Sequence, residues 1–163
     1  MPYEHTFFLP FDIKAKIKFC LLQHHPEFFN IVVLWTKNTW GYMNGFNNTE
    51  NAEIASIKHN LYIALYANQP IGMFALNTEK TPCAHLTHVY VESSFRCLGV
   101  GSALIAKAKE LAQIKNAKNI VFETTTSPAL YGFYQRRGAV YRGENYVKEN
   151  KIITPTLVFE ITI

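Results

Sequence analysis

A loop with two glycines stands between an apolar segment and a segment with helical patterning. The loop reads Arg96-Cys-Leu-Gly-Val-Gly-Ser102, follows the apolar run Leu86–Val91 and opens the helix-patterned run Ser102–Ala112. A strand that passes through such a loop into a helix start presents backbone N–H groups in a concave turn, at the positive end of the helix dipole. The arrangement predicts a phosphate-binding site.

Two common phosphate loops are excluded by single residues. A dinucleotide-binding fingerprint needs its third glycine at position 104, where the chain has Leu104. A P-loop needs Gly-Lys followed by Ser or Thr, whereas Gly101 is followed directly by Ser102.

The spacing resembles the Arg/Gln-x-x-Gly-x-Gly/Ala pattern of the GCN5-related N-acetyltransferase (GNAT) superfamily, which uses this loop to grip the pyrophosphate of acetyl-coenzyme A. A glycine pair also fits an ordinary turn, so the place of the loop between strand and helix matters. The resemblance implies that cofactor contacts come from seven consecutive residues: Arg96, Cys97, Leu98, Gly99, Val100, Gly101 and Ser102.

The resemblance also assigns a role to the strand before the loop. In the family this strand and the next one splay apart, and the pantetheine arm lies between them. The matching residues are Val89, Tyr90 and Val91, whose backbone groups would pair with the pantetheine amides and polarise the thioester carbonyl. Backbone groups on a splayed strand would otherwise lack partners. An ordinary buried strand explains the same sequence.

A second motif, Ala129–Gly138, resembles the family's Tyr-x-x-x-Gly-Phe segment, although Ala139 stands where a bulky residue is usual. The match implies that Tyr134 donates a proton or a hydrogen bond to the departing thiolate. Aromatic packing is the alternative role. Ser127 stands where many members have an asparagine that contacts the cofactor, and it would also cap the following helix.

An acceptor amine must lose a proton before it attacks, so a base is needed directly or through water. The resemblance aligns Glu123 with a catalytic glutamate of some members, and Glu92, His88 and Tyr90 are rivals. No metal is expected, because residues three apart on a strand, such as His85 and His88, face opposite sides.

Composition describes one ordinary globular domain of 163 residues, 48% hydrophobic, with a net charge of +4. Residues 1–80 carry six basic and six acidic groups, whereas residues 81–163 carry ten and six, so the excess charge lies in the half with the loop. No run of basic residues with interleaved aromatics favours nucleic acid, and no apolar run predicts a membrane span. Three scattered cysteines and the absence of a leader pattern favour free thiols and a cytoplasmic location.

Periodicity predicts the elements. A short strand is predicted at His5–Leu9, followed by one helix at Phe11–Gln23 and another from Pro26 through Trp35. The segment Thr36–Asn51 is predicted to be irregular. A hairpin is predicted over Leu61–Ala67 and Ile71–Asn77. A strand is then predicted at Cys83–Val91, a helix at Gly101–Lys115 and a strand at Ile120–Thr124. A helix at Pro128–Arg137 and two strands, Ala139–Val147 and Ile152–Ile163, follow.

This order resembles the GNAT fold, best over residues 61–147, and implies an α+β fold with a mixed, mostly antiparallel sheet of six or seven strands and helices on both faces. We expect a single domain over residues 1–163 that transfers an acetyl group from acetyl-coenzyme A to a primary amine, by direct attack in a ternary complex. The acceptor, a small molecule or a protein amino group, would bind beside the N-terminal helices and the aromatic segment Trp35–Phe46. A non-catalytic acyl-coenzyme A-binding module is the alternative, and homodimerisation is left open.

Overall fold

The structure is a computed structural model that describes residues 13–163. The predicted strand His5–Leu9 lies outside the described residues, as do the first two residues of the predicted helix Phe11–Gln23. The described chain contains seven strands: β1 Lys18–Leu21, β2 Leu61–Tyr66, β3 Gln69–Asn77, β4 Cys83–Val91, β5 Asn119–Thr124, β6 Ala139–Glu149 and β7 Ile152–Thr162.

These strands form one sheet in the order β1-β2-β3-β4-β5-β7-β6. Only β4 and β5 pair in parallel, and the other neighbours are antiparallel. The described residues also form four helices: α1 Phe29–Trp40, α2 Glu50–Ile57, α3 Val100–Ile114 and α4 Pro128–Gln135. The predicted α+β class, with a mixed and mostly antiparallel sheet, is confirmed.

Two hydrophobic clusters show that the helices cover both faces of the sheet. Helices α1 and α2 pack with Leu61, Ile63 and Met73 in one cluster. Helices α3 and α4 pack in the other with residues of β3, β4, β5 and β7, among them Phe122 and Phe159. The buried residues of α3 include Leu104, Ala108 and Ala112, which lie on one stripe of the helix.

The predicted helix over Phe11–Gln23 is wrong in its described part. Residues Ile13–Lys16 form a short 3-10 turn, β1 follows, and Leu22–His24 form another 3-10 turn. Strand β1 pairs antiparallel with β2, and the ring of Phe19 lies edge-on to Phe74 at 6.1 Å. Pairing with the edge of the sheet therefore outweighs the helical spacing of the apolar residues.

The segment Thr36–Asn51, predicted as irregular, contains more helix than expected. Helix α1 continues to Trp40, a 3-10 turn spans Gly41–Asn44, and α2 begins at Glu50. Helix α2 forms because it buries Ile54 against α1 and the sheet. The irregular part is confined to the residues between the turn and α2, where Gly45 has φ +71.

Candidate functional site

Strands β4 and β5 separate from each other before either strand ends. Their parallel pairing stops at Leu86 opposite Phe122, although β4 runs to Val91 and β5 to Thr124. Beyond this point the facing edges of the two strands are open. The predicted splayed pair of strands is therefore present, with Val89, Tyr90 and Val91 on its β4 arm.

A β-bulge in β4 lies at the start of this fork. Met73 pairs with Tyr90 and Ala75 with Thr87, so that Phe74 of β3 stands opposite both His88 and Val89. His88 takes up the extra residue with a left-handed φ of 56°. Such bulges bend a strand and re-aim its side chains. Here Val89 and Val91 pack on the α3–α4 side, whereas Tyr90 packs on the α1–α2 side.

The backbone of Val91 faces the fork. The amide of Glu92 donates to Ile71 O on β3 at 2.8 Å, and successive strand residues direct their amides to opposite edges. The carbonyl of Val91 accepts a hydrogen bond from Arg96 Nε at 2.8 Å, and the Arg96 guanidinium also lies 5.5 Å from the Tyr90 ring centroid. Arg96 thus fixes the start of the glycine loop onto the end of β4.

The loop leads into α3, and its backbone amides have no hydrogen-bond acceptor among the described residues outside that helix. Gly99 occupies the N-cap of α3 with φ +88, and Cys97 is also left-handed at φ +64. Among residues 13–163, no hydrogen bond outside α3 itself is donated by the amides of residues 97–102. These N–H groups lie at the positive end of a 15-residue helix. The arrangement fits an anionic group with several acceptor oxygens.

Gly101 has a different reason to be glycine. A Cβ atom at this position would lie 3.0 Å from Phe133 Cζ of α4. The Arg137 guanidinium lies over the Phe133 ring, with its carbon 3.7 Å from the ring centroid. Gly101 therefore allows α3 and α4 to approach closely beside the loop.

Tyr134 projects from α4 onto the base of the fork. Its ring centroid lies 4.5 Å from that of Phe122, which is the last β5 residue paired with β4. Only 5% of the residue is exposed. Burial raises the pKa of the Tyr134 phenol to about 12, and the nearby positive charge of Arg137 acts in the opposite direction. The phenol is therefore a hydrogen-bond donor at any physiological pH.

Ser127 is placed as predicted at the N-cap of α4, with Pro128 at the first helical position. Its side chain makes no capping hydrogen bond, so the expected capping by the hydroxyl does not occur. The carbonyl of Ser127 accepts from the amide of Tyr131 instead. The hydroxyl is left for other contacts.

Glu123 lies on the open arm of β5, on the face opposite to α3 and α4, because its neighbour Phe122 packs in the α3–α4 cluster. The side chain is exposed, and Oε1 accepts hydrogen bonds from Thr156 Oγ1 at 2.6 Å and from Asn145 Nδ2 at 3.4 Å. Strands β6 and β7 therefore hold this carboxylate beside the fork.

Two of the rival bases have structural partners. Glu92 accepts a hydrogen bond from the Trp35 indole of α1 at 2.8 Å and also one from the Ser93 amide. Tyr90 stacks on Trp35 with ring centroids 5.0 Å apart. Burial raises the pKa of Tyr90, the charge of Glu92 raises it further, and Arg96 opposes both.

His88, the third rival, contacts residues that the sequence did not single out. Its Nε2 atom lies 2.5 Å from Glu53 Oε2 of α2, and its Nδ1 atom lies 2.8 Å from Thr87 Oγ1. Neither Glu53 nor Thr87 stands in a recognisable motif. No element was predicted for residues 52–60, so nothing in the sequence placed Glu53 on a helix.

The segment between α1 and α2 contacts the turn between β6 and β7. Asn150 Nδ2, in the β6–β7 turn, donates to Asn44 O at 3.4 Å, and Ile152 lies beside Gly45. This contact joins the segment between α1 and α2 to the β6–β7 turn. Of the aromatic segment, Trp35 is buried, whereas Tyr42 and Phe46 are exposed.

A family model described as the acetyltransferase (GNAT) family matches residues 6–139. The chain belongs to this family. The match covers the fork, the glycine loop and α4, together with most of the N-terminal region that the sequence motifs left unassigned. No curated protein sequence matches the chain at a significant level.

Solved structures of GNAT proteins share the fold. A GNAT acetyltransferase from Elizabethkingia anophelis with acetyl-CoA bound is 21% identical, with a TM-score of 0.59 over 69% of this chain and 82% of that one. Ard1 from Thermoplasma volcanium is 16% identical, with a TM-score of 0.73 over 91% and 98%.

A third structure is more similar in sequence over a shorter region. It is a Bacillus anthracis str. Ames protein classed as a streptothricin acetyltransferase, in complex with acetyl coenzyme A. It is 30% identical with a TM-score of 0.56, and the match covers 63% of this chain. The chain spans 61% of the length of that protein.

Among residues 13–163, no group of three or more His, Cys, Asp or Glu residues is placed to hold a metal ion. The described helices also include none with the length and apolar character needed to cross a bilayer.

Proposed function

We propose that this GNAT protein is an acetyl-coenzyme A-dependent N-acetyltransferase that acetylates a primary amine by direct attack in a ternary complex. The observation that carries the proposal is the juxtaposition of two features at one end of the sheet. The β4–β5 fork opens next to a loop whose amides, from Cys97 to Ser102, have no described partners outside α3.

The loop residues fit the pyrophosphate of acetyl-coenzyme A. Amides of Cys97, Leu98, Gly99, Val100, Gly101 and Ser102 would donate to its oxygens, as expected for an anion at a helix N-terminus. Arg96 would hold the loop on β4 through the Val91 carbonyl. The Ser127 hydroxyl, which caps no helix amide, would contact the arm of the same molecule.

The β4 arm would bind the pantetheine and the thioester. The Val91 amide faces the fork, and the bulge takes the backbone of Val89 out of regular pairing with β3, whereas Tyr90 keeps its pairing with Met73. An amide directed at the carbonyl oxygen would stabilise the negative charge that develops during attack. One such donor contributes roughly 3 kcal/mol in other acyl-transfer enzymes.

Tyr134 would serve the departing thiolate as a hydrogen-bond donor. Full transfer of the proton from a phenol with a pKa of about 12 to a thiolate of ordinary pKa would be uphill by roughly 5 kcal/mol. The raised pKa therefore favours stabilisation by the hydrogen bond, with the proton supplied later from water.

The amine would approach from the α1–α2 side of the sheet. This face carries Glu123 on β5, whose carboxylate accepts from Thr156 of β7. The Glu123 carboxylate would attract an ammonium group and is one candidate for the base. The exposed rings of Tyr42 and Phe46 lie in the same connecting segment.

Two measurements on the wild-type chain test the proposal. Acetyl-coenzyme A at a hundredfold excess over its dissociation constant should stabilise the fold by about 2.7 kcal/mol, seen as a rise in melting temperature. Thiol release should then depend on an added amine, tested with tyramine, spermidine, kanamycin and a lysine-containing peptide. Binding with no amine-dependent release would contradict the transferase and support an acyl-coenzyme A-binding module. No binding would contradict both.

A further inference from the structure

Three side chains on two elements form a continuous hydrogen-bonded chain beside the fork. Thr87 Oγ1 lies 2.8 Å from His88 Nδ1, and His88 Nε2 lies 2.5 Å from Glu53 Oε2. Glu53 belongs to α2 and is 35 residues away from His88, so the chain exists only because α2 packs over β4. The mechanism described so far uses none of the three.

The β4 bulge is what creates this geometry. A left-handed φ is unfavourable by roughly 1–2 kcal/mol for a residue other than glycine, and such strain is concentrated at functional sites. With φ at 56°, the His88 ring lies on the α1–α2 side, edge-on to Trp40 at 5.6 Å between ring centroids. Without the bulge, His88 would point to the α3–α4 face like Leu86.

Thr87 is the solvent-facing end of the hydrogen-bonded chain. Thr87 is the first β4 residue beyond Leu86, where pairing with β5 ends, and it is exposed. His88 is more enclosed, with 14% of its side chain exposed. Thr87 is thus the end that a bound amine can touch, and His88 and Glu53 lie behind it.

The partners fix the direction of proton movement. An ionised Glu53 carboxylate only accepts hydrogen bonds, so the Nε2 atom of His88 carries the ring hydrogen and Nδ1 carries the lone pair. Nδ1 then accepts from the Thr87 hydroxyl. This order, a hydroxyl to an imidazole to a carboxylate, is the arrangement that lets a hydroxyl lose its proton in hydrolase triads.

On the basis of the proposed function, we propose that Thr87, His88 and Glu53 form a proton relay that deprotonates the acceptor amine. The ammonium group gives one proton to Thr87 Oγ1 as the Thr87 hydroxyl proton moves to His88 Nδ1. The free amine then attacks the thioester carbonyl to form the N–C bond. The tetrahedral intermediate loses the second nitrogen proton to solvent, and the C–S bond breaks to release the thiolate. The imidazolium, held by Glu53, returns its proton to solvent.

The relay is better placed for this step than the carboxylates. Glu123 Oε1 already accepts from Thr156 and Asn145, and Glu92 accepts from Trp35. The surroundings of His88 contain one described charge partner, Glu53 on α2, whereas α1 contributes Trp40 and β3 places Phe74 opposite the bulge.

The test compares five variants, H88Q, T87V, T87S, H85Q and E123Q, with wild type in the amine-dependent thiol assay. H88Q and T87V should lower kcat by about a hundredfold, leave the melting-temperature shift by acetyl-coenzyme A unchanged, and remove the acidic limb of the pH profile of kcat. T87S should retain the limb, because it keeps the hydroxyl. H85Q is the matched control on the same strand and should behave as wild type.

The outcomes separate the relay from the proposed function. If amines are acetylated by wild type, and both H88Q and T87V keep its rate and pH profile, the relay is overturned and the transferase stands. If E123Q alone abolishes the acidic limb, Glu123 is the base and the relay is overturned. If no amine is acetylated although the cofactor binds, both proposals fail. T87V changes an exposed residue, so it tests the relay even if H88Q folds poorly.

Discussion

Burial decides what Tyr134 can do. The phenol is enclosed by Phe122, Phe133 and Phe159, and these rings offer no group that stabilises a phenolate. Its pKa of about 12 means that the hydroxyl hydrogen is always present to be donated. The same burial makes the residue part of the core, so its loss affects both turnover and folding.

Replacing Tyr134 by phenylalanine should lower kcat by about 10–100-fold, the usual effect of losing a hydrogen bond to a charged group, and leave acetyl-coenzyme A affinity unchanged. Steady-state kinetics and calorimetry measure the two. A rate equal to that of wild type would remove Tyr134 from the mechanism.

The same residue makes stability depend on pH in alkali. An unfolded tyrosine ionises near pH 10, whereas Tyr134 in the fold ionises near 12. Between these values the folded protein retains a proton that the unfolded chain has lost, so the free energy of unfolding falls as pH rises. Urea titrations should show a shallower fall for Y134F than for Y146F, which changes an exposed tyrosine.

At the scale of single residues, the sequence predicted positions best in the loop, where backbone groups would bind the cofactor. Arg96 through Ser102 lie where their motif predicts, because a glycine loop before a helix has few alternative conformations. Glu53 could not be found, since its importance depends on α2 docking over β4. The left-handed bend at His88 has no glycine or asparagine to indicate it.

The elements around the loop depend on close approach between α3 and α4. Gly101 of α3 and Gly132 of α4 are both helical, and a Cβ atom on either would have its nearest neighbour at 3.0 Å. For Gly101 the neighbour is the Phe133 ring, which also stacks with the Arg137 guanidinium. For Gly132 it is the Nη1 atom of Arg136, the far end of a flexible side chain.

Because the two neighbours differ, replacing glycine by alanine is predicted to affect stability in opposite directions at the two positions. G101A should destabilise the fold by about 1–3 kcal/mol, as overpacking does, and weaken acetyl-coenzyme A binding by moving the loop. G132A should be neutral or stabilising by up to about 1 kcal/mol, because alanine favours a helix. Denaturant unfolding of both variants gives the comparison. Equal stability of G101A and wild type would show that Phe133 moves aside.

The N-terminal segment predicted as a helix contains a residue pattern that is typical of a strand. Over residues 13–19 apolar and lysine residues alternate strictly, with Ile13, Ala15, Ile17 and Phe19 against Lys14, Lys16 and Lys18. Alternation with period two indicates a strand, and the last part of this run enters β1. The hairpin β2–β3 and strand β4 were predictable because apolar runs and turn residues agreed there.

Across the whole molecule, charge is concentrated in the half that carries the loop. Residues 81–163 hold ten basic and six acidic side chains, whereas residues 1–80 are balanced at six and six. A cofactor with several phosphate charges would be drawn to this half, and salt would screen the attraction.

Affinity for acetyl-coenzyme A should therefore fall steadily as ionic strength rises from about 0.05 to about 0.5 M, as measured by calorimetry. Dephospho-coenzyme A, which lacks one phosphate group, should show a shallower dependence than coenzyme A. An affinity independent of salt would indicate that the loop amides, and not the net charge, supply the attraction.

The exposed Cys97 gives the chain a built-in reporter of occupancy. Cys97 lies in the loop itself, whereas Cys20 and Cys83 are partly covered, and burial raises the pKa of the Cys20 thiol. A maleimide dye should therefore label Cys97 first, and saturating acetyl-coenzyme A should slow that labelling, with C97S as the control. Fluorescence could then follow ligand exchange in real time before any acceptor is identified.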